Sequence, residues 1–126
     1  MPYRTVNYLA YRVSVATSAA RGFARDARTA ARENPSPEIE AHVAMAEAAA
    51  ERAEAALNRC NARGHESSTG PVIRVKDRRR FAWDDDEPTR AFVGECYSVA
   101  QAAREEAQRE CAIIQGRDKP GEGSSA

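Results

Sequence analysis

Lysine is nearly missing from this chain: Lys76 and Lys119 are the only two among 19 basic residues. Aliphatic bulk is scarce, and no apolar run approaches the roughly 20 residues needed to span a bilayer. The best N-terminal stretch is interrupted by Arg12. Nineteen basic residues cancel nineteen acidic ones, which excludes coating of nucleic acid or anionic membrane by bulk charge. Any such binding needs a local patch. The three cysteines, Cys60, Cys96 and Cys111, are odd in number and widely spaced, unlike a disulfide framework. A reducing, cytoplasmic setting follows.

Catalytic signatures are absent as well. No nucleophile-and-base spacing, phosphate-cradling glycine loop or dinucleotide fingerprint occurs, so an enzyme is not expected. Cys60, His65, Cys96 and Cys111 lack the close ligand pairs of a zinc knuckle. His42 stands four residues after Glu38, but carboxylate–histidine bundles need inward acids from several helices. The expectation is no metal and no cofactor.

What the sequence does have is alanine, at 26 of 126 residues. Methyl groups bury little area each, so a core built from them is thin, and self-association is a natural way to thicken it. The length suits one domain. The Arg and Ala bias fits a GC-rich genome, bacterial or viral.

Val6, Leu9, Val13, Ala16, Ala20, Phe23, Ala27 and Ala30 recur at alternating steps of three and four, predicting a helix over about 5–33. The acid-free, Arg- and Ser-containing stretch 1–25 would also suit an organellar transit peptide, yet its heptads favour a structural helix. Asn34-Pro35 ends it. Ser36, Pro37 and Glu38 read as an N-cap, an N1 proline and an early acid, opening a second helix over 37–63. Its stripe is Ile39, Val43, Ala46, Ala50, Ala53, Leu57 and Cys60, closed by Gly64. So short a connection forces the two matched helices antiparallel, with small residues allowing close approach.

A third helix is predicted over 88–115, with Phe92, Cys96, Val99, Ala100, Ala103, Ala107, Cys111 and Ile114 on a looser apolar face. Gly94 is a weak point within it. Between the second and third helices, Val72, Ile73 and Val75 followed by Phe81 and Trp83 suggest two short strands around residues 76–80. The expected class is all-α: an antiparallel hairpin plus a third long helix, with a β-hairpin insertion over 64–87. Residues 1–116 form one domain in this reading, and 117–126 a disordered tail.

Arg21, Arg25, Arg28 and Arg32 line up on the first helix away from its seam, in a segment of local charge about +4. The row suits an acidic protein or phosphates, although the glutamates of the second helix balance it. Arg78, Arg79 and Arg80 precede Phe81 and Trp83, a basic-aromatic cluster of the kind that single strands stack on, and Asp84 to Glu87 oppose it. Trp83 either docks on the bundle or stands exposed as a partner anchor. Asp84, Asp85, Asp86 and Glu87 offer a cation site or acid and base, or more plainly complement a helix dipole. Tyr3, Tyr8 and Tyr11 either cover the end of the bundle or form a partner patch.

The leading expectation is a non-enzymatic protein-binding protein, a small adaptor or inhibitor of a larger complex, encoded by a phage or mobile element. Its candidate contacts are Arg21, Arg25, Arg28, Arg32, Arg78, Arg79, Arg80 and Trp83. Nucleic-acid binding through the arginines is the rival, and a self-assembling component or homodimer the third reading. No membrane role is expected.

Overall fold

Local caps set where each helix begins. In the computed structural model, which describes residues 5–72 and 79–116, Thr5 accepts a hydrogen bond from the Tyr8 amide and opens α1, Val6–Glu33. Ser36 accepts from the Ile39 amide at 3.1 Å and opens α2, Pro37–Arg63. Asp86 accepts from the Thr89 amide at 2.9 Å and opens α3, Glu87–Ile114. All three bounds fall within a residue of those the sequence predicts. Tyr3, Ile73, Val75, Lys76, Arg78 and the 117–126 tail lie outside the described residues.

Cross-helix pairs give the directions. Arg28 meets Glu40 and Glu47 while Arg21 meets Glu54, so α1 and α2 run antiparallel. His42 pairs with Glu110 and Arg52 with Glu106, so α2 and α3 are antiparallel too. Arg12 reaches Tyr97, and the Val6 amide reaches Asp85, as parallel α1 and α3 require. The third helix is more than an addition to a hairpin: it packs more extensively against α1 and against α2 than they do against each other.

A helix with two neighbours needs a wide buried face, and α1 has one. Val6, Ala10, Val13, Thr17, Ala20, Ala24, Ala27 and Ala31 are all buried, at steps of four and three. Leu9 and Phe23, expected at the centre of the seam, sit partly buried at the core's edge. The face of α3 is equally regular rather than loose: Thr89, Val93, Cys96, Ala100, Ala103, Ala107 and Glu110. Alanine lets the backbones come close. The Thr17 hydroxyl lies 2.9 Å from Val13 O on its own helix and 3.1 Å from Ala53 O on α2, sharing its hydrogen between them.

The insertion pairs as expected where it is described, and gains a second partner. Val72 bridges Arg80 in the antiparallel sense, while strand β2, Phe81–Ala82, is antiparallel to β1, His65–Glu66, the residues that leave α2. The Phe81 amide also donates to Pro71 O, so β2 lies between the two segments. Side chains alternate along a strand, which puts Phe81 and Trp83 together on the bundle side, 7% and 5% exposed. Docking is thus the outcome for Trp83, and its role as an exposed partner anchor is corrected.

Two glycines have distinct reasons. Gly116 adopts φ 80°, the left-handed turn expected after a helix. Gly64 is extended instead, at φ −89°, and is small because a Cβ there would stand 2.7 Å from Trp83 Cε2. Gly94 has no packing reason, since a Cβ would meet nothing within 4 Å. Gly94→Ala is therefore expected to raise stability by about 1 kcal/mol, read as a higher urea midpoint at unchanged slope.

Among the described residues, no helix is long and apolar enough to cross a membrane.

Candidate functional site

The arginine row of α1 is half absorbed by α2. Arg28 donates to Glu40 at 3.0 Å and to Glu47 at 3.3 Å, and Arg21 lies 3.8 Å from Glu54. Both Arg28 partners hold its guanidinium above its ordinary pKa, the Glu47 hydrogen bond most strongly. Arg25 and Arg32 are exposed and make no ion pair among the described residues. The row is thus two isolated cations beside a balanced seam, not a continuous basic track.

The insertion cluster is absorbed too. Arg79 pairs with Glu66 at 3.0 Å and lies 5.6 Å from the Phe81 ring centroid, while Arg80 donates to Gly70 O at 2.8 Å. Trp83 donates its indole N–H to Cys60 O at 2.9 Å and its amide to Asn7 Oδ1 at 3.0 Å. Cys60 O is one of the four carbonyls that the end of α2 leaves without a helical partner. Trp83 therefore caps α2 and presents nothing to solvent.

The acidic run does capping work of the same kind. Hydrogen bonds from the Thr89 side chain and amide hold the Asp86 carboxyl below its ordinary pKa. Asp85 accepts from Arg90 at 2.8 Å and from the Val6 amide at 3.4 Å, tying the start of α1 to that of α3. Asp84 faces His65 at 3.6 Å. No group of three His, Cys, Asp or Glu is placed for a metal among the described residues.

Among the described residues Glu110 is the one buried acid, 8% exposed, and His42 Nδ1 stands 2.5 Å from its carboxylate. The pair pins the start of α2 to the end of α3.

Cys60, Cys96 and Cys111 are all buried and form no disulfide. Burial, then the neighbouring Cys96 thiol, pushes Cys60 up to about 12, and burial also raises Cys96. The stability consequence has a definite sign. Below the ordinary thiol pKa of 9.0 both folded and unfolded Cys60 are protonated. Above it only the unfolded thiol ionises, so stability falls by about 1.4 kcal/mol per pH unit until the folded pKa is reached. Urea titrations at pH 8, 9 and 10 are expected to show a shallower decline for Cys60→Ala than for the wild type.

The outer side of α1 carries three of the four most exposed large hydrophobic residues among those described. Tyr8, Tyr11 and Val15 are 40%, 45% and 37% exposed, so Tyr8 and Tyr11 are not packed into the end of the bundle. Between Thr5 and Ala20 the only charge is Arg12, in a chain that is 30% charged overall. That guanidinium is held between two rings, its Cζ 5.9 Å from the Tyr8 centroid and 5.6 Å from that of Tyr97. It donates to Tyr8 Oη at 3.0 Å and to Tyr97 Oη at 3.3 Å. The Tyr8 hydrogen bond, then the charge interaction with Tyr97, raise its pKa further. Arg12, Val15 and Tyr97 escape a search for charge clusters. The signal that finds them is a gap in charge on an exposed helix face.

Comparison of the chain with protein-family models, with curated proteins and with solved structures finds no match.

Proposed function

We propose that this chain is a non-enzymatic protein-binding protein, a small adaptor or inhibitor within a larger assembly, docking through the outer face of α1. The observation that carries the reading is the uncharged, exposed Tyr8, Tyr11 and Val15 face, rimmed by Arg12 and Tyr97. Tyrosine and arginine offer large, rigid contact area, and interfaces concentrate both. Exposed helix faces otherwise carry charge. Three buried thiols suit a reducing cytoplasm, and the Ala and Arg bias suits a phage or mobile-element gene.

Nucleic-acid binding has less support, because Arg21, Arg28 and Arg79, three of the arginines that would track phosphates, are occupied by Glu54, Glu40, Glu47 and Glu66. Affinity capture at physiological salt decides between the readings. Wild type is expected to retain a protein partner that Tyr11→Glu loses at least about tenfold, the cost of one interface anchor of about 1.4 kcal/mol. Arg25→Glu with Arg32→Glu is expected to leave capture unchanged. Absence of a partner, or equal capture by Tyr11→Glu, counts against the proposal.

A further inference from the structure

The outer stripe of α1 is graded in size. Tyr8, Tyr11, Val15, Ser18 and Gly22 follow one another at steps of three, four, three and four, so they share one line along the helix. The first two are bulky and exposed, Val15 is intermediate, and the last two are small. Gly22 opens on empty space, with nothing within 4 Å of where its Cβ would be. None of the five carries charge.

From this grading we infer that the α1 face is occupied by a second copy of the chain, its α1 antiparallel to the first and the two-fold axis passing at Val15, the midpoint of the stripe. The inference rests on the reading of this face as a docking surface and names what docks there. Antiparallel pairing lays each copy's tyrosine turn over the other's Ser18 and Gly22 turn. Parallel pairing sets Tyr against Tyr and leaves a void at Ser18 and Gly22. A single sequence thus supplies both halves of an isologous contact, as a two-fold interface demands.

Charge supports the same occupant. A two-fold contact sets a residue against its own copy only near the axis, and there the stripe is the uncharged Val15, with no charge elsewhere along it to be buried unpaired. A phosphate or an acidic helix would want cations on the stripe itself, and Arg12 points its donors to Tyr8 and Tyr97 instead.

The area sets the strength. From Tyr8 to Gly22 the stripe is about 21 Å long at 1.5 Å per residue. Facing strips of that length bury on the order of 400 Å² per copy, about half of a standard interface, which places the dimer in the weak, reversible class.

Sedimentation velocity of the full chain from about 1 to 300 μM, at physiological salt, tests this. The expected result is a monomer that becomes a dimer with rising concentration, and loss of the dimer in Val15→Glu and in Ser18→Glu, both exposed positions. A second measurement reads the direction. Under oxidised glutathione, Val15→Cys is expected to crosslink to itself while Tyr8→Cys alone does not; parallel pairing requires both to crosslink. A chain that stays monomeric throughout, a dimer untouched by both glutamates, or self-crosslinking of Tyr8→Cys overturns the inference. Should the chain stay monomeric and yet lose a different partner in Tyr11→Glu, the dimer fails while the docking surface stands.

Discussion

Trp83→Ala is expected to lower the unfolding free energy by about 3–5 kcal/mol, as removal of a buried Trp does. Few other side chains here are so large. The core is mostly alanine, so one indole contributes a disproportionate share of the buried area. Trp83 also joins the insertion to two helices: its ring covers Gly64 and its N–H satisfies Cys60 O, both at the end of α2, and its amide is held by Asn7 of α1. Two milder variants separate these roles. Trp83→Phe keeps most of the ring but leaves Cys60 O without the indole donor, which is expected to cost about 1–3 kcal/mol. Gly64→Ala keeps the indole and drives a methyl group against it, so it too is expected to destabilise, although at φ −89° the backbone itself would accept alanine without strain. Thermal unfolding followed by circular dichroism ranks all three. A Trp83→Ala loss under about 1 kcal/mol would falsify the capping role.

The helix bounds were legible because local chemistry sets them. Ser36-Pro37, Asp86 with Pro88, and Gly116 each fix a terminus through a cap or a turn that needs no tertiary contact. The packing was less legible, for a reason specific to alanine. In α1 alanine occurs on several faces, so periodicity alone does not say that Ala10, Ala24 and Ala31 are inside while Ala19 is half exposed. Thr17 and Glu110 are polar and were passed over, yet each is buried because it has a partner on a neighbouring helix. In the insertion, β-branched Val72 is legible as a strand position and bridges Arg80, whereas His65–Glu66, the partner of β2, has weak strand character and is recruited by its position at the end of α2.

Of the sequence's candidate contacts, the arginines Arg21, Arg28 and Arg79 and the aromatic Trp83 each have an intramolecular partner in the fold. A cation in the sequence is visible, but the carboxylate that will neutralise it is fixed only by the register of packed helices. Tyr8, Tyr11 and Val15 stand out only in the fold, where they are the exposed large hydrophobic residues of α1.

Ala53→Leu is the second large effect, and it probes how close α1 and α2 stand. Ala53 is fully buried, and its carbonyl is within 3.1 Å of the Thr17 side-chain oxygen, so the α1 surface lies almost against the α2 backbone at this level. Three added carbons have no void to enter. The helices must part or the leucine must leave its rotamer wells, at an expected cost of about 3 kcal/mol, the upper part of the overpacking range. Parting α1 from α2 also breaks the Thr17 contact and lengthens the Arg21 and Arg28 pairs, which ties this seam to the surface charges. Ala55→Leu, on the exposed side of the same helix, adds the same carbons and is expected to change stability by no more than about 0.5 kcal/mol. Denaturant melts of the pair therefore separate helix propensity, common to both, from the constraint of the seam. Equal stabilities for the two variants would mean that α1 and α2 are not held at backbone distance, and that alanine lines the seam for some reason other than closeness.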